Sequence, residues 1–142
     1  MTIVDPTMAY MAAVRTVLLA DSAILAAGVT EILDRPRPNM KAPFITLGAT
    51  SDQDWSTASE DGIQLRMDVS IWDSSPSQTP ETLRSRQLIA RVRALLHFAT
   101  LTPAAPAHHV LTRVTAVVGP MLDPDGVTLH SVVTVTALLD HT

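Results

Sequence analysis

The chain has 142 residues, 46% hydrophobic and 17% charged, with a net charge of −4 and no cysteine. That length fits one domain, read as residues 1–142, which buries roughly two-thirds of its unfolded surface and so needs no staple. Missing cysteine excludes disulfides, thiolate metal sites and thiol nucleophiles, and the acidic balance excludes a protein that wraps nucleic acid with a basic face. Mean hydropathy of +0.23 is on the apolar side for a small soluble monomer and hints at surface shared with partners. The longest apolar run, Ile24 to Val29, falls far short of the ~20 residues a membrane span requires. Asp5 and Pro6 stand where a secretory signal would carry positive charge and an apolar run. Synthesis in the cytosol is expected, with no membrane partner.

Asp5 is an N-cap and Pro6 suits the first helical position, so a first helix begins here. Tyr10, Met11, Val14, Val17 and Leu18 fall on one face at helical spacing. Asp21-Ser22 starts a short second turn or helix that Gly28 ends. Ile32-Leu33 reads as a brief strand. Residues 34–43 hold Pro36, Pro38 and Pro43, which forbid a helix and disfavour a central strand. Phe44 to Leu47 is a short strand that Gly48 closes. Ala49 to Asp61 is polar and acidic, with Asp52, Asp54, Glu60, Asp61 and Trp55 and no basic residue, and reads as a long hairpin loop.

Ile63, Leu65, Met67, Val69 and Ile71 alternate with Gln64, Arg66, Asp68, Ser70 and Trp72, the period of a strand with one core face. Trp72 falls on the polar side, suited to covering an edge or a subunit contact. After a Ser/Pro loop, Thr79 reads as the cap of the main second helix, with Pro80 and Glu81 in its first turn. Leu88, Val92, Leu95, Leu96 and Ala99 form the buried face. Arg84 and Arg91 flank it on one side, Arg86 and Arg93 on the other. His109–Val118 and Val127–Leu139 are Val/Thr-rich strands joined around the turn sequence Pro124-Asp125-Gly126. The expected class is α+β: two antiparallel hairpins forming one roughly four-stranded sheet, with two main helices packed on one face.

The residues offer no catalytic constellation. His97, His108, His109, His130 and His141 show no HxxxH, HxH or HExxH spacing, so they read as scattered surface or edge groups. No GxSxG elbow, P-loop or GxGxxG is present, and the 52–61 carboxylates lack calcium-loop spacing. No cofactor and no metal is expected. The plain reading of the acidic segment is a solvated loop. Its functional reading is protein contact or repulsion of a polyanion. For the arginines the choice is between stems shielding an apolar face and ion pairs between subunits.

Several segments in order resemble one family. Leu18-Leu19-Ala20-Asp21 ends the first helix. Pro43-Phe44-Ile45-Thr46-Leu47-Gly48 and Val69-Ser70-Ile71-Trp72-Asp73 are similar to two of the family's strands. Ile89-Ala90-Arg91-Val92-Arg93-Ala94-Leu95-Leu96 is similar to its Arg-rich helix, and Asp123-Pro124-Asp125-Gly126 with His130 to its closing hairpin. The chain thereby resembles the tail terminator (tail-completion) proteins of siphophages, prophages and gene transfer agents. It departs from them at Ser131, where a glycine often follows the histidine, and in the Ala/Pro run 103–107.

The resemblance implies a structural protein and not an enzyme: a ring, hexameric in the family, that caps the tail tube and docks to the head-side stopper or connector. DNA would pass the lumen without specific binding, and the particle would be assembled in the host bacterial cytoplasm. Interface candidates are Asp52, Asp54, Trp55, Glu60, Asp61, Trp72, Arg84, Arg86, Arg91 and Arg93. A head–tail stopper is the alternative within the structural class. A small-molecule-binding α+β domain with a deep polar pocket is the alternative outside it.

Overall fold

The structure is a computed structural model that describes residues 5–59, 61–74, 82–105 and 107–141. Helix α1 (Pro6–Leu19) starts where Asp5 accepts a hydrogen bond from the Thr7 backbone N–H at 2.9 Å. Its buried residues Thr7, Tyr10, Val14 and Leu18 recur every three or four positions, the spacing of one helical stripe. Asp21 caps α2 (Ser22–Ala26) by accepting from Ile24 N–H at 3.1 Å. Gly28 at φ +105° then turns the chain out of the helix.

Five strands follow: β1 (Ile32–Leu33), β2 (Phe44–Asp54), β3 (Gly62–Ser74), β4 (Ala107–Leu122) and β5 (Thr128–His141), with α3 (Leu83–Leu96) between β3 and β4. The sheet order is β1-β2-β3-β5-β4. Both expected hairpins are present, β2–β3 and β4–β5, joined through the antiparallel β3–β5 pair. The sheet is larger than the roughly four strands expected. β1 pairs parallel to β2, through Ile32↔Ile45 and Leu33↔Thr46, and makes the sheet mixed.

Register rows place the two faces. Leu65, Met67 and Val69 stand opposite Ala137, Val135 and Val133. These residues join Ile45, Leu47, Tyr10, Val14, Leu18, Leu88, Val92 and Leu96 in one buried cluster. The helical core residues thus cover one face of the sheet. A buried aliphatic side chain of this kind contributes about 1.5–3 kcal/mol.

Three sequence expectations are corrected. The segment Ala49–Asp54 is strand and not loop: β2 runs to Asp54, with a register shift between Gly48 and Ser51 and pairs from Ser51↔Arg66 to Asp54↔Ile63. Polar, exposed side chains from Thr50 to Asp54 hid it, since no apolar face marks this part of the strand. The helix expected from Thr79 begins at Leu83, with Thr82 at its N-cap and no side-chain cap bond. Thr79, Pro80 and Glu81 themselves lie outside the described residues. The helix closes at Leu96, so Ala99 lies beyond it.

Strand β4 is two different things along its length. From Ala107 to Val114 it alternates between buried or half-buried and exposed positions, while Thr115–Gly119 is exposed throughout and Met121 and Leu122 are 42% and 50% exposed. Element lengths explain this. A 14-residue helix such as α3 spans about 21 Å, whereas a 16-residue strand such as β4 spans about 53 Å. One helix layer cannot cover the whole strand.

Candidate functional site

The acidic segment closes the β2–β3 hairpin as a compact loop. Trp55 N–H donates to Gly62 O at 2.8 Å. Ser56 Oγ donates to Asp54 Oδ1 at 2.6 Å and accepts from Gly62 N–H at 3.1 Å. The Trp55 ring folds back over Gly62, where an added Cβ would lie 3.2 Å from the ring. Asp52, Asp54 and Asp61 are exposed, and Glu60 lies outside the described residues. The ion pairs among the described residues, Arg15–Asp34, Arg37–Glu31, Arg84–Asp73 and Arg91–Asp21, leave these three carboxylates without a cation. Among the described residues the hairpin end is a patch of negative charge without an ion-paired cation.

The four arginines of α3 divide. Arg84 Nε reaches both oxygens of the buried Asp73 at 3.0 Å, and its Nη2 also contacts Asp73 Oδ1. Ser85 Oγ and the Ser74 N–H complete the shell of that carboxylate. Arg91 grips Asp21 with two bonds of 2.9 and 2.6 Å. These bonds from Arg91 are the main reason the Asp21 carboxyl lies below its ordinary range, and the pair in turn raises the guanidinium. Arg84 and Arg91 therefore anchor α3 to β3 and to α2. Arg86 and Arg93 are exposed and make no ion pair among the described residues.

Trp72 sits on the sheet face opposite the helices. Phe44, Trp72, His130 and Met121 are register partners across β2, β3, β5 and β4. The His130 ring stacks on Trp72 with centroids 3.8 Å apart and planes at 6°, and Phe44 flanks Trp72 at 6.0 Å. Trp72 Nε1–H donates to Thr46 Oγ1 at 3.1 Å. His130 Nε2 is buried with no hydrogen-bond partner among the described residues. Burial lowers the affinity of His130 for a proton, opposed by the charge of Asp123.

Other histidines have structural contacts. His97 Nδ1 accepts from Val114 N–H at 3.0 Å, and the adjoining Phe98 N–H donates to Thr112 O at 2.8 Å. His109 stacks on Tyr10 and contacts Thr112 Oγ1 at 2.6 Å, and Thr112 in turn pairs with Tyr10 Oη at 2.8 Å. This chain of contacts joins α1 to β4. Burial pushes the Tyr10 hydroxyl up to about 12 and lowers the His109 imidazole. Among the described residues no cluster of His, Asp or Glu could hold a metal ion, and no helix is long and apolar enough to cross a membrane.

Sequence reasoning missed one surface. The outer half of β4 exposes Val117, Val118, Met121 and Leu122, and Val127 follows in the turn. The apolar residues there do not alternate with polar ones. The sequence places Val117 and Val118 at the end of a strand His109–Val118 and Met121 and Leu122 in the connection to the next strand, whereas β4 runs on to Leu122.

The family model described as "Tail completion protein gp17" matches residues 12–140. Among curated protein sequences, none matches at a significant level. A chain from the solved virion of a native gene transfer agent (GTA) particle superposes with a TM-score of 0.82 at 18% identity, covering 97% of this chain and 99% of that one. At this identity the likeness bears on the fold. With a family match over most of its length, as the ordered sequence motifs implied, the chain belongs to the tail completion protein gp17 family.

Proposed function

We propose that this chain is the tail terminator subunit of a phage or gene transfer agent particle. It forms a ring, hexameric as in the resemblance read from the sequence, that caps the tail tube and joins the tail to the head-side stopper or connector. Its place is the tail and neck of the virion, and its role is structural and not enzymatic. The observation that carries this reading is the family match over residues 12–140. The fold likeness to a chain of a gene transfer agent virion over nearly both full lengths supports it.

The exposed groups fit a ring. A cyclic ring joins two different surfaces of the same subunit, and this chain carries acidic and basic groups on separate elements. Asp52, Asp54 and Asp61, with Trp55 beside them, face the lumen in this reading. There they repel the phosphates of passing DNA over a Debye length of about 8 Å at physiological salt. Trp72 contributes an aromatic contact on the open sheet face. Arg86 and Arg93 face neighbouring subunits, in positions set by the Arg84 and Arg91 anchors.

Deleting the gene and examining the particles tests the reading. Tails of uncontrolled length, rescued by the wild-type chain, are expected. Tails of normal length that fail only in DNA retention would replace the terminator with the head–tail stopper.

A further inference from the structure

Two apolar surfaces of this chain stand open on different elements. One is the outer half of β4, an apolar blade paired along β5. Val117 and Leu122 lie level with the inward-facing Val133 and Leu129, while Val118 and Met121 lie level with Val132 and His130 on the open face. All four are between 42% and 50% exposed. The blade ends in a turn carrying Asp123 and Asp125. Asp125 is tied down by Thr128 and Val127, and these hydrogen bonds, from Thr128 first, hold its carboxyl below the ordinary range, so the tip is negative at neutral pH.

The other surface is a groove of about 660 Å³ between α2 and α3. Its walls are mostly small and apolar: Ala23, Ala26, Ala27, Leu88, Ala90 and Ala94. The α3 positions that line it include 87, 90, 91 and 94. At about 100° per residue, Arg86 and Arg93 flank these positions on the solvent side. The groove is therefore an apolar slot with a basic border, and the blade is an apolar edge with an acidic tip. Both are exposed, so neither fills the other within one chain.

We propose that the outer half of β4 and its acidic turn from one copy seat in the groove between α2 and α3 of the next copy. The inference rests on the ring reading and names the contact that builds it. A second copy is the fitting occupant because a closed ring requires each subunit to carry both halves of one heterologous contact. Here the two halves match in polarity and in charge.

The blade engages through side chains and not by adding a strand. The inner part of the β4 edge is already occupied: His97 takes the Val114 N–H and Phe98 N–H takes the Thr112 carbonyl. Farther out, register shifts between Val114 and Ala116 and between Val118 and Met121, with Pro120 in the edge, interrupt the ladder a partner strand would need.

The native chain has no cysteine, so introduced thiols report the contact alone. Particles are made with the double variant Val118→Cys/Ala94→Cys, oxidised, and run on a non-reducing gel. Both positions are exposed, so the fold is retained. The expected result is a ladder of linked subunits up to the ring number, absent from either single variant. In parallel, Asp123→Arg is expected to cut incorporation at least tenfold, and Asp123→Arg with Arg93→Asp to restore it. A ring visible at the neck with no ladder would overturn the contact while leaving the terminator reading intact. A ladder missing because no ring is present would overturn both. Linkage only within one subunit would also overturn the proposal.

Discussion

His130 lies flat on Trp72, ring centroids 3.8 Å apart, on the sheet face that the helices leave open. The stack joins the C-terminal end of β3 to the start of β5, and the His130 Nε2 is buried there with no hydrogen-bond partner among the described residues. His109 is held in the same neutral sense by its burial against Tyr10. The fold therefore resists protonation of both rings. Above the unfolded imidazole value of about 6.5, both states are neutral and these groups do not affect stability. As pH falls through that value the unfolded chain takes up protons that the folded chain refuses, and stability drops until the lowered folded values are passed. The melting temperature should fall between pH 7 and pH 5, and less steeply in His130→Phe, which keeps a ring on Trp72. An equally steep fall in that variant would remove His130 from the account.

Asp73 is almost wholly buried and receives Arg84, Ser85 and the Ser74 N–H. Asp73→Ala leaves those donors without their acceptor and frees the start of α3 from β3. A loss of about 2–4 kcal/mol is expected, below the fully buried figure because Arg84 is 42% exposed. Urea unfolding of the isolated chain measures it, and a change under about 0.5 kcal/mol, the scale of ordinary surface substitutions, would show that the pair does not anchor the helix.

Gly119 has φ +104°, and a Cβ there would sit 2.7 Å from the His130 carbonyl oxygen and 3.0 Å from Ser131 Cα. Both neighbours are backbone, so neither can rotate away. Gly119→Ala should cost about 2 kcal/mol or more and disturb the outer half of β4 first. Amide exchange should rise in Val117–Leu122 and not in α1. Unchanged exchange there would contradict the strain.

Asp52→Lys with Asp54→Lys reverses charge at two exposed positions of the hairpin end. Thermal stability should stay close to wild type, while ring assembly, tail joining or DNA passage is impaired. Particle yield and infectivity or gene transfer read this out, and normal particles would take the hairpin out of the function.

The sequence made some of this legible and not the rest, for physical reasons. Asp5 and Pro6 predicted the start of α1, and the alternation from Ile63 to Trp72 predicted β3, because capping and period-two burial are local. The second half of β2 carried no such pattern, since a strand end with both faces in water has no apolar face to declare itself. The anchors Arg91–Asp21 and Arg84–Asp73 span 70 and 11 residues of chain, and only the packed fold shows which two of the four arginines make no ion pair among the described residues. The open half of β4 depends on the difference in length between helix and strand, which appears only once both are laid on one sheet.

The central claim is a ring of this chain at the head-proximal end of the tail. Electron cryomicroscopy of purified particles, read at the neck, tests it most directly. The account predicts one closed ring with this α+β fold, seated between the last tube ring and the head-side connector. Density for the chain on the capsid side of the neck, as a single copy, or nowhere in the particle would contradict it.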